Sequence, residues 1–191
     1  MRLFAGVELD ERVRLACAEA ARKLDEGLQR GRPRLAVRWI PEENLHITLW
    51  FFGEVADARA VEITERLRIA WQIPSFALTI CGVGVFPPRG PIRIVWLGVG
   101  TGAEEMSAIY RELTTRLAPL GLEPERRAFH PHVTLGRARE STGSPQRARA
   151  ALERHDLHAG TCEVKHLTLF QSRLSPHGAR YEPLLRVPLQ H

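Results

Sequence analysis

The string HITL at residues 46–49 returns as HVTL at residues 132–135, nearly half a chain away. Side chains of an extended strand alternate between its faces, so His46 and Thr48 share one face while Ile47 and Leu49 take the other. His132 and Thr134 stand against Val133 and Leu135 in the same way. The aliphatic members suit a core beneath helices. If both strands line one groove, two imidazoles and two hydroxyls converge there. Near neutral pH an uncharged histidine takes a proton from water while a charged one delivers a proton to a departing oxygen. Threonine hydroxyls donate to nonbridging phosphate oxygens and steady the charge that grows on them in the transition state. Together these groups suit cleavage of a phosphodiester.

The string occurs a third time, as HLTL at residues 166–169, and a histidine in a strand is by default a packing or surface residue. Position separates the copies. His46 and His132 each follow a long helix and a connector and precede another helix, whereas His166 falls in a terminal hairpin. The acting pair is therefore expected to be His46 and His132. His130, followed by Pro131, reads as a strand-entry residue. Zinc sites join histidine to Cys, Asp or Glu at close spacing. No HExxH or similar pattern occurs, so neither a metal nor another cofactor is expected.

The elements that must carry these residues are legible from periodicity. RLFAGVEL opens as a buried strand, and Asp10 is placed to cap a helix reaching about Gln29, with Val13, Cys17, Ala20, Leu24 and Leu28 as its apolar stripe. An exposed loop is expected at RGRPR, a short strand at LAVRWI and a turn at PEEN, before the first motif strand ends at Gly53. Ala60, Ile63, Leu67 and Ala70 mark a second amphipathic helix. FALTICGVGVF and IRIVWLGVG, parted by PPRGP, make a strand pair. A third helix covers about Ala103 to Leu117, with Met106, Ile109, Tyr110, Leu113 and Leu117 inward. After the second motif, Ser144 and Pro145 start a fourth helix. TCEVKHLTLFQSRL and ARYEPLLRVPL read as two strands around the turn SPHG. Hairpin neighbours mixed with helices favour an α+β fold with antiparallel sheets. The repeated helix, connector, strand and helix imply two lobes facing across a groove.

At 191 residues, with 44% hydrophobic and 26% charged side chains, the chain makes one compact unit rather than two independent domains. Its first residues lack the apolar run of a leader peptide, and no run approaches a membrane span. Cys17, Cys81 and Cys162 form an odd set without CxxC spacing, which fits a reducing cytoplasm. The net charge of +5 permits an anionic partner such as RNA. It locates no patch, and with lysine only at Lys23 and Lys165 the arginine excess also reads as a compositional bias.

Two HxT-hydrophobic motifs half a chain apart resemble the signature of the 2H phosphoesterase superfamily. The surroundings resemble its RNA 2′,3′-cyclic phosphodiesterase branch, the LigT-like or ThpR proteins, once named 2′-5′ RNA ligases. RLFAGVEL, ENLHITLWFFGEV, GVGVFPPRGPIRIVWLGV, FHPHVTLGR and LFQSRLSPHGARYEPL follow one another in the order those proteins show. The resemblance implies a single domain over residues 1–191, built of two intertwined, pseudo-twofold-related α+β lobes, each an antiparallel sheet with helices outside. It implies a monomer with a central basic cleft that works without a metal. It implies hydrolysis of a terminal RNA 2′,3′-cyclic phosphate, with tRNA fragments or cyclic nucleotides as substrates, to a 2′-phosphate. His46 would then be the proton donor and His132 the acceptor, an assignment that pseudo-symmetry makes reversible, with Thr48 and Thr134 on the phosphate. An alcohol replacing water gives the reverse, 2′-5′ joining. Arg137 matches a basic residue common after the second motif. It stands an odd number of steps from His132, however, and on a regular strand is expected to face away. Phe4, Trp50 and Trp96 are candidates to stack on a base, with core packing the stronger expectation. The alternatives are an enzyme for small cyclic nucleotides or 2′-5′ oligoadenylates, and a module that grips RNA ends without turnover.

Overall fold

The segment RLFAGVE forms β1 (Arg2–Glu8), buried on both faces from Leu3 to Val7 because it runs between two other strands. The computed structural model describes residues 1–30, 34–142, 144–175 and 178–190, so the expected RGRPR loop and SPHG turn fall largely outside the described residues. Asp10 caps α1 (Glu11–Arg30) as its position implies: a carboxylate oxygen accepts the Val13 N–H at 2.7 Å. The stripe from Val13 to Leu28 is buried. The chain continues through β2 (Arg34–Trp39), a single 3-10 turn at Glu42–Asn44, β3 (His46–Glu54) and α2 (Asp57–Arg68). Ala60, Ile63 and Leu67 of α2 point inward, but Ala70 lies beyond the helix end and is exposed.

A hairpin of β4 (Phe76–Phe86) and β5 (Ile94–Val99) comes next, then α3 (Ala103–Leu117), which has the bounds its periodicity implies. Its Met106, Ile109, Leu113 and Leu117 are buried and Tyr110 is half-buried. β6 (His132–Thr142) leads to α4 (Pro145–Glu153). Ser144 precedes α4, but its hydroxyl meets the Gln146 side chain at 2.7 Å instead of a backbone N–H. β7 (His158–Val164), β8 (His166–Ser175) and β9 (Gly178–Pro188) complete the chain. The stretch read as one strand from Thr161 to Leu174 is thus two. Lys165 and His166 are consecutive exposed residues where the burial alternation slips, and the chain there crosses from one end of the sheet to the other.

The fold is α+β, as expected, with all named strand pairs antiparallel. The two halves join into one curled sheet in the order β7-β4-β5-β6-β3-β1-β8-β9, with β2 added to the free edge of β6. The order is symmetric about the β6/β3 junction, where Ile47 pairs with Val133. Helices cover the outer faces: α1 and α4 pack over the half with β4, β6 and β7, and α2 and α3 over the half with β3 and β9. Neither half is built from one stretch of sequence, since β1 and β3 return to β8 and β9 only after the other half is complete. Replacing Asp10 by alanine should cost about 1 kcal/mol of unfolding free energy in chemical denaturation, the usual loss at an N-cap; an unchanged midpoint would show that the cap does not stabilise α1.

Candidate active site

The Ile47 and Val133 side chains are fully buried, so the residues flanking each of them face the other way, into the groove. Partners in an antiparallel register step in opposite directions along the two strands. His46 therefore lies toward Thr134 and Thr48 toward His132, each imidazole opposite the hydroxyl of the other motif. An open cleft of about 190 Å³ runs beside this junction, walled by His46, Thr48, Thr134 and Arg137 together with Arg2, Phe4, Asn44, Phe51, Ser172 and Tyr181. His132 is at the next groove-facing position on β6, beside Phe86 and Trp96. A larger cavity of about 630 Å³ lies between α1 and β2, bordered by Asp25, Gln29, Arg38 and Arg139. No histidine borders it.

Each motif histidine is held in the same way. His46 Nδ1 is 2.7 Å from the carbonyl oxygen of Asn44, and His132 Nδ1 is 2.7 Å from that of His130. A carbonyl only accepts, so Nδ1 carries the proton in both rings and the lone pair of each ring is left on Nε2. Nε2 of His46 lies 2.9 Å from Thr48 Oγ1. The Asn44 side chain is itself anchored, donating from Nδ2 to the Ala179 carbonyl of β9 at 2.7 Å. Aromatic rings fix the imidazole planes. Phe4 lies 4.7 Å from His46 and stacks on Phe170, with Tyr181 edge-on at 5.1 Å. Phe86 is edge-on to His132 at 5.1 Å, and Trp96 is 6.0 Å from it.

These walls strip water from the rings and so disfavour the imidazolium. Burial pushes His46 down to about 4, against the hydrogen bond it donates to the Asn44 carbonyl, and charge on His132 lowers it further. Burial likewise holds His132 below the usual imidazole range, reinforced by the charges of His130 and Arg137. The two motif histidines are thus electrostatically coupled across the junction.

Arg137 faces the cleft, contrary to the simple alternation. The β5/β6 register jumps from Thr134 opposite Trp96 to Gly136 opposite Val95, which leaves Leu135 as an extra residue. Such a bulge inverts the phase of every residue after it. β3 does the same: the β1/β3 register jumps from Thr48 opposite Gly6 to Trp50 opposite Ala5, leaving Leu49 extra. Leu49 and Trp50 both turn to the core, and Phe51 emerges in the cleft, 49% exposed. Phe51 and Arg137, each five residues after its histidine, are equivalent positions in the two halves. Gly136 permits the bulge on β6, since a Cβ there would lie 2.4 Å from Val37 Cγ1.

The remaining candidates fall as follows. Phe4 is a buried wall of the cleft and Trp50 is core, while Trp96 is half-buried beside both His130 and His132. His130 is exposed, ahead of β6. The third motif is used by the fold. Thr168 is fully buried and donates to Glu8 at 2.8 Å, and Arg186 forks the same carboxylate at 2.7 and 2.9 Å. This fork holds the Glu8 carboxyl below its ordinary range. His166 is exposed and outside the cleft lining. Among the described residues no three His, Cys, Asp or Glu side chains gather as a metal would require.

The family model described as the 2′-5′ RNA ligase superfamily matches residues 15–175. The chain belongs to that superfamily. A superfamily relative from Aeropyrum pernix, named RNA 2′,3′-cyclic phosphodiesterase, is 38% identical over 151 residues, which cover 79% of this chain and 85% of that protein. One of the same name from Thermotoga maritima is 32% identical over 185 residues, 96% of this chain and 93% of that protein. The crystal structure of Escherichia coli LigT complexed with 3′-AMP aligns with 100% of this chain and 98% of its own, at 28% identity and a TM-score of 0.73. The match to LigT extends the likeness over both halves of the sheet.

Three cleft residues were not legible as such. Phe51 is hidden within the apolar run LWFF, Tyr181 arrives from the far end of the chain, and Asn44 acts partly through its main chain. The signal for Asn44 was its uniqueness as the sole asparagine. In a ¹⁵N-detected NMR titration, both His46 and His132 should show the Nδ1–H tautomer and His46 should stay neutral until about pH 4. A His46 midpoint near the ordinary 6.5 would contradict the dehydrated setting.

Proposed function

We propose that this protein hydrolyses the 2′,3′-cyclic phosphate at an RNA end to a 2′-phosphate, without a metal, using His46 and His132 as a proton-transfer pair. The observation that carries the reading is the pair of motif histidines with Nδ1 occupied by backbone carbonyls, each beside the other motif's threonine. Water attacks phosphorus as His132 Nε2 takes its proton, the bond to the ribose 3′ oxygen breaks, and His46 Nε2 delivers a proton to that oxygen. Thr48, Thr134 and Arg137 hold the nonbridging oxygens, with the Arg137 guanidinium meeting the charge that grows on them. Phe51, with the Arg2 guanidinium 5.0 Å over its ring, offers a surface on which a base stacks. An incoming alcohol in place of water makes a 2′-5′ linkage.

Several features agree with this reading. The relatives are named for this activity, and the likeness to a LigT chain complexed with 3′-AMP fits a nucleotide in the cleft. Each half supplies only one of the two motif histidines, so the whole chain acts as one domain of two intertwined lobes. No helix among the described residues is long and apolar enough to cross a membrane. The three cysteines are free, in keeping with a reducing cytoplasm.

His46→Ala and His132→Ala should each lower kcat by at least a hundredfold with 2′,3′-cyclic AMP in EDTA, yielding 2′-AMP as the sole wild-type product, while His166→Ala keeps most activity. Production of 3′-AMP, or an equal loss from His166→Ala, would refute the assignment. The kcat/KM profile reports the free enzyme, in which both imidazoles are depressed, so it should be bell-shaped with its maximum below pH 6.5. The kcat profile should be displaced to higher pH, because a bound phosphate anion favours the imidazolium. Coincident profiles centred above 7 would refute the proposed pair.

A further inference from the structure

β2 joins the free edge of β6 just past the histidine junction, and its register sets Arg38 directly opposite Arg137. Opposed residues in an antiparallel pair project from the same face with their Cβ atoms about 5 Å apart, and like charges so placed repel. Among the described residues neither Arg38 nor Arg137 has an ion pair or side-chain hydrogen bond. The arginines of the neighbouring hairpin differ: Arg173 meets Glu182 at 2.9 Å and Arg186 meets Glu8 at 2.7 Å. Arg38 is exposed, and its Nη2 lies 3.3 Å from where a Cβ on Gly178 would stand. Its guanidinium therefore reaches across to the strand whose Ala179 and Tyr181 wall the cleft.

Two adjacent, uncompensated guanidiniums on a cleft face call for two adjacent anions. In the reaction proposed above, Arg137 meets the reacting phosphate. The next charge along an RNA is the phosphodiester that links the terminal nucleotide to its 5′ neighbour. We infer that Arg38 binds this penultimate linkage, making a subsite that distinguishes an RNA end from a mononucleotide. The inference rests on the cyclic phosphodiesterase reading and adds to it the feature of the substrate that the protein measures.

The test compares kcat/KM for a diadenylate ending in a 2′,3′-cyclic phosphate with kcat/KM for 2′,3′-cyclic AMP. Arg38→Gln should lower the ratio of the two about tenfold, as loss of one charge-assisted hydrogen bond implies, and Arg38→Lys should restore part of it. The salt dependence of KM for the diadenylate should weaken by about one unit of log-log slope. A diadenylate with an uncharged methylphosphonate at the internal linkage should already show the reduced ratio, with no further loss on adding Arg38→Gln. An unchanged ratio in Arg38→Gln, whether both substrates suffer equally or neither does, would overturn the inference. Wild-type protein that turns over neither substrate would instead overturn the reading beneath it. A melting curve matching wild type separates either result from misfolding.

Discussion

The site depends on one antiparallel contact, the pairing of Ile47 with Val133 at the centre of the sheet. Both side chains are fully buried, which commits the flanking residues of each strand to the groove. Because antiparallel partners run in opposite directions, the same contact crosses the two motifs, setting each histidine against the other's threonine. A parallel pairing would have put histidine beside histidine, and a slip of one strand by one residue would have turned its imidazole into the core. The symmetric strand order and the helices on the outer faces keep this junction where two similar halves meet.

The two halves are built alike but finished differently. Each motif strand bulges at its leucine, and each bulge returns the fifth residue after the histidine to the cleft. One half presents Phe51 there and the other Arg137. An aromatic ring on one side and a cation on the other break the symmetry of an otherwise symmetric pair of motifs.

Electrostatics divide the labour further. Aromatic walls dehydrate both imidazoles and lower their proton affinity, while backbone carbonyls hold Nδ1–H and expose Nε2. An anion brought beside such rings would raise their affinity for a proton. Arg38 of β2 and Arg137 of β6 meet no carboxylate among the described residues, whereas Glu8, Thr168 and Arg186 close a neutralised cluster. The third HxTL string belongs to that cluster and to the stability of the β1/β8 pairing, which explains how the same letters serve a different end.

What the sequence by itself determined was local: the helices with their stripes, the Asp10 cap, the β4/β5 hairpin, and the motif strands with aliphatic and polar faces. These follow from periodicity and from bonds spanning a few residues. That His46 shares a face with Thr48, and His132 with Thr134, was legible because alternation is local, and the copy at His166 stood apart by its place in a terminal hairpin. Ala70 and the break at Lys165 were misread, because the ends of elements depend on what they pack against. Only the tertiary structure decided the cleft direction of Arg137, the emergence of Phe51, and the convergence of Tyr181 and Asn44 on His46. A bulge is visible only against its partner strand, and the partners of β3 and β6 come from distant parts of the chain. Alternation within a strand is a property of the strand, but its phase relative to a cleft is a property of the sheet.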